Sequence, residues 1–147
     1  PYFAVNPVYK VTAAFVRTPD EKKFQMPTMD GKFKTHLKYG ELHFKLAGKA
    51  LSLAVYQSEK LSQTEEYKDY LLVPFKDLTC GKESYKGGRY IDFRIPEKSE
   101  VSLDFNLAYN PSCAYATRFS CPVVPRVNDL NIAVRAGEKA YRGKAGH

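Results

Sequence analysis

The sequence predicts an all-β fold, a single antiparallel β-barrel or β-sandwich of about eight strands with short helical or irregular excursions. Three observations favour this class. Aromatic residues make up 14% of the chain, with 11 Tyr and 9 Phe, and aromatic side chains are enriched in strands. Segments in which apolar and polar residues alternate follow one another at close spacing. These segments do not alternate with helical patterns, as strands do in an α/β protein.

The first half of the chain contains the clearest hairpin. Residues 9–15 alternate between apolar and polar side chains, which indicates a strand with one buried face. Residues 24–27 are expected to be extended, and Asp30 and Gly31 mark a turn before the weakly alternating residues 33–39. Residues 42–46 and 51–55 form the hairpin, and Ala47 and Gly48 form its turn. Residues 58–70 are polar and charged, so we expect a mobile excursion with room for a short helix.

The second half of the chain adds three strands. Residues 71–75 indicate a buried strand, in which Pro74 requires an edge position or a bulge because proline lacks an N–H group. Residues 90–95 form the next strand, and residues 101–105 are expected to pair back on it after a turn at Pro96. Residues 130–135 are predicted to form the final strand. Single faces of the period-two segments give the predicted core, which consists of Leu42, Phe44, Leu46, Leu51, Leu53, Val55, Val101, Leu103 and Phe105.

Size and charge limit the classes of protein and partner. The 147 residues suffice for one hydrophobic core, so we expect a single domain over residues 1–147. The formal net charge is +7, but the basic residues are dispersed, which fits a lysine-rich surface or a small anionic partner and disfavours nucleic acid.

No apolar run approaches the about 18 residues of a membrane span, so no transmembrane segment is expected. Because the chain begins at Pro1 without an initiator Met, we expect it to be the C-terminal part of a longer precursor.

The three cysteines leave several interpretations open. Cys113 and Cys121 are separated by a short segment, so they are the candidate pair for a disulfide that closes a small loop. The same pair fits two buried free thiols or a redox or metal site, although no familiar metal-ligand spacing is present. Cys80 makes the number of thiols odd, whereas the number of cysteines in a secreted disulfide framework is more often even.

Two stretches of the chain concentrate polar side chains near glycine or proline. Residues 79–92 contain Glu83, Tyr85, Arg89 and Asp92, and an arginine in a glycine-rich loop is suited to bind an anion such as phosphate or carboxylate. The alternative is a tight turn that carries an Arg89 salt bridge. Residues 104–121 supply the remaining ligand-binding candidates, which are Asp104, Asn106, Tyr109, Asn110 and Tyr115. These polar residues form either a pocket wall or local hydrogen bonds beside the proline bend.

The same two stretches resemble a known protein family. The first carries LVPFKDLT (72–79), GKESY (81–85) and GGRYID (87–92), and the second carries DFN (104–106), NP (110–111), CAY (113–115), CP (121–122) and AGE (136–138). Together with FAVNP (3–7) and YGELHF (39–44), they resemble the uncharacterised bacterial domain of unknown function 1684 over nearly the whole chain. The resemblance implies relatives exported to the bacterial cell envelope or periplasm, with cytoplasmic relatives as the alternative, and it transfers no activity. The family pattern has Ser or Asn at the position of Cys80, which makes a shared role for this thiol a poor hypothesis.

We therefore carry three hypotheses about function. The first is a β-barrel binding module whose pocket, lined by residues 79–92 and 104–121, holds a small polar or anionic ligand. The second is a hydrolase-like enzyme with Asp104 or Glu83 as the acid–base group and Arg89 as an anion clamp. The third is a structural envelope protein without a small ligand. The sequence identifies no cofactor, no metal ligands and no oligomeric state.

Overall fold

The computed structural model describes residues 1–141, and they form the all-β fold that the sequence predicts. The expected single domain spans residues 1–147, so residues 142–147 of that prediction lie outside the described part. The described residues form seven strands, β1 (Lys10–Arg17), β2 (Phe24–Pro27), β3 (Phe33–Leu46), β4 (Lys49–Ser58), β5 (Tyr70–Phe75), β6 (Arg89–Arg94) and β7 (Glu100–Asp104). They also form the short helix α1 (Glu59–Ser62) and the 3-10 turns Pro7–Tyr9, Phe105–Leu107, Ser112–Ala114 and Arg126–Asn128.

The strands form one curled antiparallel sheet in the order β6-β5-β4-β3-β1-β7, and β2 pairs with β3 beside this path. β3 and β4 form the predicted hairpin. The predicted pairing of residues 101–105 with β6 is wrong, because β7 pairs with β1 at the opposite end of the sheet. This pairing sets Leu103 opposite Val11 and Val101 opposite Ala13, so β7 extends the apolar face of β1.

The core lies on one face of the curled sheet. Seven of the nine predicted core residues are buried, and the other two, Leu51 and Val101, are half-buried and pack against the core. Phe105 lies at the centre, with its ring centroid 5.8 Å from that of Phe44 and 5.3 Å from that of Phe75. The period-two pattern therefore predicted the correct buried face for residues 42–46 of β3 and for β4 and β7.

The predicted strand over residues 130–135 is wrong. Leu130, Ile132 and Val134 are buried in the core, as the alternation indicates. The backbone of this segment, however, runs beside residues 76–78, where Leu130 N donates to Lys76 O at 2.8 Å and Leu78 N donates to Ile132 O at 2.9 Å. The segment is irregular because part of its backbone forms hydrogen bonds with buried side chains and not with a neighbouring strand.

A β-bulge in β3 changes which side chains face each side of the sheet. Lys38 pairs with Tyr56 and Gly40 pairs with Val55, so Tyr39 is an extra residue on β3. An extra residue reverses the alternation of side chains along a strand. Each side chain of β3 before the bulge therefore points to the opposite side of the sheet from the one that an uninterrupted alternation predicts.

The bulge and the double-sided burial of β5 create a second buried face. His36 lies on this face together with Tyr56, although Leu42 at the same parity lies in the core. In β5 and β6, Leu72 and Tyr90 also lie on the second face, while Leu71, Val73 and Ile91 lie in the core. The second face is the floor of the candidate site. The described residues contain no helix that is long and apolar enough to cross a membrane.

Candidate functional site

A pocket of about 750 Å³ lies between the second face of the sheet and the segment of residues 109–122. Residues of β3, β4, β5 and β6 form the floor, and α1 forms one side. Its apolar and aromatic lining consists of Phe33, Leu61, Tyr70, Leu72, Tyr90, Tyr109, Pro111 and Pro122. Both this volume and this mixture of apolar wall and few polar groups are typical of sites for small molecules.

Two tyrosine hydroxyl groups at the pocket converge on one carboxylate. The Tyr70 hydroxyl donates to Asp92 Oδ1 at 2.7 Å, and the Tyr109 hydroxyl donates to the same oxygen at 2.5 Å. Burial raises the pKa of both tyrosines, and the hydrogen bonds to Asp92 raise it further. Both hydroxyl groups therefore keep their protons at neutral pH and direct them at Asp92.

Tyr90 and Tyr109 join the two stretches that the sequence analysis placed in one site. Tyr90 N donates to Tyr109 O at 2.9 Å, and Tyr109 N donates to Tyr90 O at 3.0 Å. Their rings meet edge to face with centroids 6.0 Å apart. The Tyr90 hydroxyl donates to Pro122 O, and burial raises the pKa of Tyr90. The expectation that the two stretches meet in space is confirmed.

His36 is the buried titratable group of the pocket floor, with an exposed fraction of 3%. Its Nδ1 lies 3.2 Å from Lys34 O, and because a carbonyl oxygen only accepts, Nδ1 carries the proton. Burial lowers the pKa of His36, so the ring is neutral at pH 7 and Nε2 is unprotonated. Nε2 makes no hydrogen bond to any residue in the described part of the chain.

The mouth of the pocket carries positive charge. Lys34 Nζ donates to Ser120 O at 2.7 Å, and Lys60 projects from α1 as an exposed side chain. Glu59 also lies at the mouth, where its carboxylate is 3.5 Å from Lys23 Nζ. Two ammonium groups and one paired carboxylate therefore leave the mouth net positive.

The candidate disulfide pair lies at the edge of this pocket. All three cysteines are free thiols in the structure, and Cys121 lines the pocket. Cys113 N donates to Cys121 Sγ at 3.3 Å, and Cys113 Sγ donates to Phe119 O at 3.1 Å. Burial is the main cause that raises the pKa of Cys121 to about 12. The pair is therefore two adjacent free thiols, and the raised pKa makes Cys121 a weak nucleophile.

Comparisons with known proteins place this fold in a family. A family model matches residues 1–139. The chain belongs to the family described as Protein of unknown function (DUF1684). A comparison with curated proteins finds no match. Among solved structures, this DUF1684 chain is similar to an uncharacterised protein of Haloarcula marismortui, determined by solution NMR, with 36% identity and a TM-score of 0.74 over 95% of this chain and 75% of that chain. These matches support the fold and assign no activity.

In this DUF1684 chain, Arg89 lies outside the pocket and is fully buried. Its Nη1 donates to the carbonyl oxygens of Ala136 and Glu138, and its Nη2 donates to Val134 O at 2.9 Å. Asp77 lies 3.4 Å from Nη2 and accepts from Val134 N at 2.6 Å. Burial lowers the pKa of the guanidinium, and the Asp77 charge opposes that effect. The pair anchors residues 134–138 to the sheet.

Glu83 and Tyr85 also lie outside the pocket. Glu83 forms an exposed ion pair with Arg135, whose Nε is 3.2 Å from Oε1. Tyr85 is buried and its hydroxyl is 4.0 Å from Met29 Sδ, while burial raises the pKa of Tyr85. Of the four candidates in residues 79–92, Asp92 is thus the one connected to the pocket, through Tyr70 and Tyr109.

Asp104 and Asn106 organise the start of the segment that follows β7. Asp104 Oδ1 accepts from Asn106 N at 3.0 Å and caps the turn Phe105–Leu107. The Asn106 side chain accepts from Asn6 N at 3.0 Å and donates to Asn6 O at 3.0 Å. These bonds fasten the first residues of the chain to this turn, at a distance from the pocket lining.

Asn110 and Tyr115 connect the pocket segment to the C-terminal part of the described chain. Asn110 N donates to Glu138 Oε1 at 2.8 Å, and its Nδ2 donates to Lys139 O at 2.9 Å. The Tyr115 hydroxyl is 3.3 Å from Asn110 Nδ2, and the Tyr115 ring centroid is 4.8 Å from that of Tyr141. Both residues hold the segment in place from outside the pocket.

The floor of the pocket was not predicted from the sequence. The predicted pocket lay between residues 79–92 and 104–121, which contribute Tyr90, Tyr109 and Cys121, but not His36 or Tyr70. One signal was available, because residues 71–75 are continuously apolar and a strand of this kind is buried on both faces. Residues 1–141 contain no group of three or more His, Cys, Asp or Glu side chains that could hold a metal ion.

Proposed function

We propose that the protein is a non-catalytic binding module that holds a small polar or anionic ligand in the pocket beneath residues 109–122. The observation that carries this proposal is the pocket of about 750 Å³, which has an aromatic lining and lysines at its mouth. Its floor holds an imidazole nitrogen that has no hydrogen-bond partner among residues 1–141. Enclosed apolar surface supplies affinity, and a few placed polar groups supply orientation.

The positions of the acid–base candidates support binding over catalysis. Glu83 is paired at the surface, Asp104 caps a turn, and Arg89 is buried under the C-terminal segment, so the three do not share the pocket. The thiol that lines the pocket, Cys121, has a pKa raised by burial to about 12 and is a poor nucleophile. The pocket thus offers recognition groups without an activated catalytic pair.

A thermal-shift screen of metabolites tests the proposal when it includes a variant with a blocked pocket. Ser112 is exposed and lines the pocket, so Ser112→Trp fills the mouth while leaving the core unchanged. Thr117→Trp is the matched control, since Thr117 is exposed on the same segment outside the lining. We expect hits that stabilise the wild type and Thr117→Trp but not Ser112→Trp.

Three outcomes count against the proposal. Hits that stabilise both tryptophan variants equally bind elsewhere on the protein. Conversion of a hit into product identifies an enzyme. A complete absence of hits favours a structural protein without a small ligand.

A further inference from the structure

Three tyrosine hydroxyl groups at the pocket present hydrogen-bond acceptors to a ligand. A tyrosine hydroxyl has one proton, and the protons of Tyr70 and Tyr109 are directed at Asp92. The proton of Tyr90 is directed at Pro122 O. The three hydroxyl oxygens therefore have only lone pairs to offer to a ligand.

His36 adds an acceptor of a different kind. Its Nδ1 proton is used by Lys34 O, and the side chain, with an exposed fraction of 3%, lines the pocket, which leaves the lone pair of Nε2 for a ligand. A ligand that covers this nitrogen without offering a donor removes the lone pair from water and gives it no hydrogen bond, which is unfavourable. A donor group on a bound molecule would satisfy it.

The other residues of the pocket indicate what the rest of the ligand must be. The rings of Tyr90 and Tyr109 and the side chain of Leu72 are suited to a flat apolar body. Lys34 and Lys60 at the mouth are suited to an anionic group that stays close to solvent. The donor must therefore be at the buried end of the ligand and the negative charge at the other.

We propose that the pocket selects a planar ring compound that carries an N–H or O–H donor at its buried end, facing His36 Nε2 and the tyrosine oxygens, and an anionic group at the mouth. This inference rests on the proposed function and narrows its ligand class. The donor is the specificity determinant, because a site built to hydrogen-bond a donor strongly rejects an analogue that lacks it.

The test compares two probes that differ in one donor, indole-3-acetate and 1-methylindole-3-acetate, by calorimetric titration of the wild-type protein. We expect the N–H probe to bind more tightly by at least about tenfold. In His36→Phe, which keeps a ring and removes Nε2, we expect the two probes to bind within about threefold of each other. Nitrogen NMR of histidine in the wild type gives a second readout that needs no variant, since the N–H probe should shift His36 Nε2 and the methylated probe should not.

The outcomes separate this inference from the proposed function. Equal binding of both probes, blocked by Ser112→Trp, overturns donor selection and leaves the binding module intact. Binding of both probes weaker than about 1 mM overturns the ligand class, because both carry the ring and the anion that it specifies. If the metabolite screen yields no hit but the N–H probe binds tightly and donor-selectively, donor selection holds although the screen failed. The two proposals can therefore fail independently.

Discussion

The side-chain amide of Asn128 occupies the gap in the sheet opposite Pro74. The register of β4 and β5 pairs Tyr56 with Leu72, so Ala54 stands opposite Pro74, which has no N–H to donate. Asn128 Oδ1 accepts from Ala54 N at 2.8 Å, and its Nδ2 donates to Ala54 O at 3.0 Å and to Pro74 O at 2.7 Å. One amide thus replaces the strand pairing that the proline prevents, which explains how a proline is tolerated inside the sheet.

Asn128→Ala should destabilise the protein strongly. The substitution leaves three buried backbone groups without partners, and each such group costs about 1–3 kcal/mol. We expect a loss of about 3–5 kcal/mol in the free energy of unfolding, measured by urea denaturation. Asn131→Ala is the control, because Asn131 is exposed on the same segment, and its effect should stay within about 0.5 kcal/mol. Equal midpoints for the two variants would show that the Asn128 bonds contribute little.

Replacing Arg89 should be costly because Asp77 is left charged in the interior. Both side chains are fully inaccessible, so Arg89→Met should lower the free energy of unfolding by about 3–5 kcal/mol. Adding Asp77→Asn removes the stranded charge, and the double variant should be more stable than the sum of the single effects predicts by about 1–3 kcal/mol. Arg135→Met at the exposed Glu83 pair is the control, with an expected change below about 1 kcal/mol. Strict additivity would contradict a coupled Arg89–Asp77 pair.

Stability should fall in mildly acidic solution because of His36. Burial lowers its pKa in the folded state below the ordinary 6.5, so the unfolded chain binds a proton more readily than the folded one. The contribution of neutral His36 is fully present above pH 6.5 and is lost as the pH falls from 6.5 toward the folded pKa. Urea midpoints measured between about pH 8 and about pH 5.5 should decline in the wild type and in His43→Gln, whose His43 is exposed. The decline should shrink in His36→Gln. An unchanged slope in that variant would assign the pH dependence to other groups.

The thiols should react slowly in the folded protein and completely after unfolding. Burial raises the pKa of Cys121 to about 12 and also raises that of Cys80, so these two cysteines carry few thiolates at pH 8. Without reductant, iodoacetamide in urea should modify all three cysteines, as intact mass would show. Modification of one cysteine, with two protected until reductant is added, would identify a Cys113–Cys121 disulfide in place of the free thiols.

The sequence predicted the features that depend on the local alternation of apolar and polar residues. Phe44 and Leu53 are buried because an apolar face of a hairpin must be covered, and the period of two places both on that face. The Asx residues at the bend also behave as local chemistry indicates, since Asp104 caps the turn that follows it.

The missed features depend on distant parts of the chain. His36 lies on the second face because Tyr39 is an extra residue in β3, and only the partner strand defines which residue is extra. Residues 130–135 alternate like a strand, but Asp77 and Arg89 satisfy part of their backbone from 45 or more positions away, and no local pattern predicts that contact. The floor of the pocket depends on this bulge, so it could not be predicted from the local alternation of the residues that form it.

A heteronuclear NMR titration with a hit from the thermal-shift screen tests ligand binding in this pocket most directly. We predict that the largest changes in amide chemical shift occur at His36, Tyr90 and Tyr109, which line the pocket on three different parts of the chain. We predict little change along β1, which lies in the other half of the sheet. Saturable binding with its largest changes in β1 or around the Glu83–Arg135 pair, while the three pocket amides stay unmoved, would contradict the pocket as the binding site.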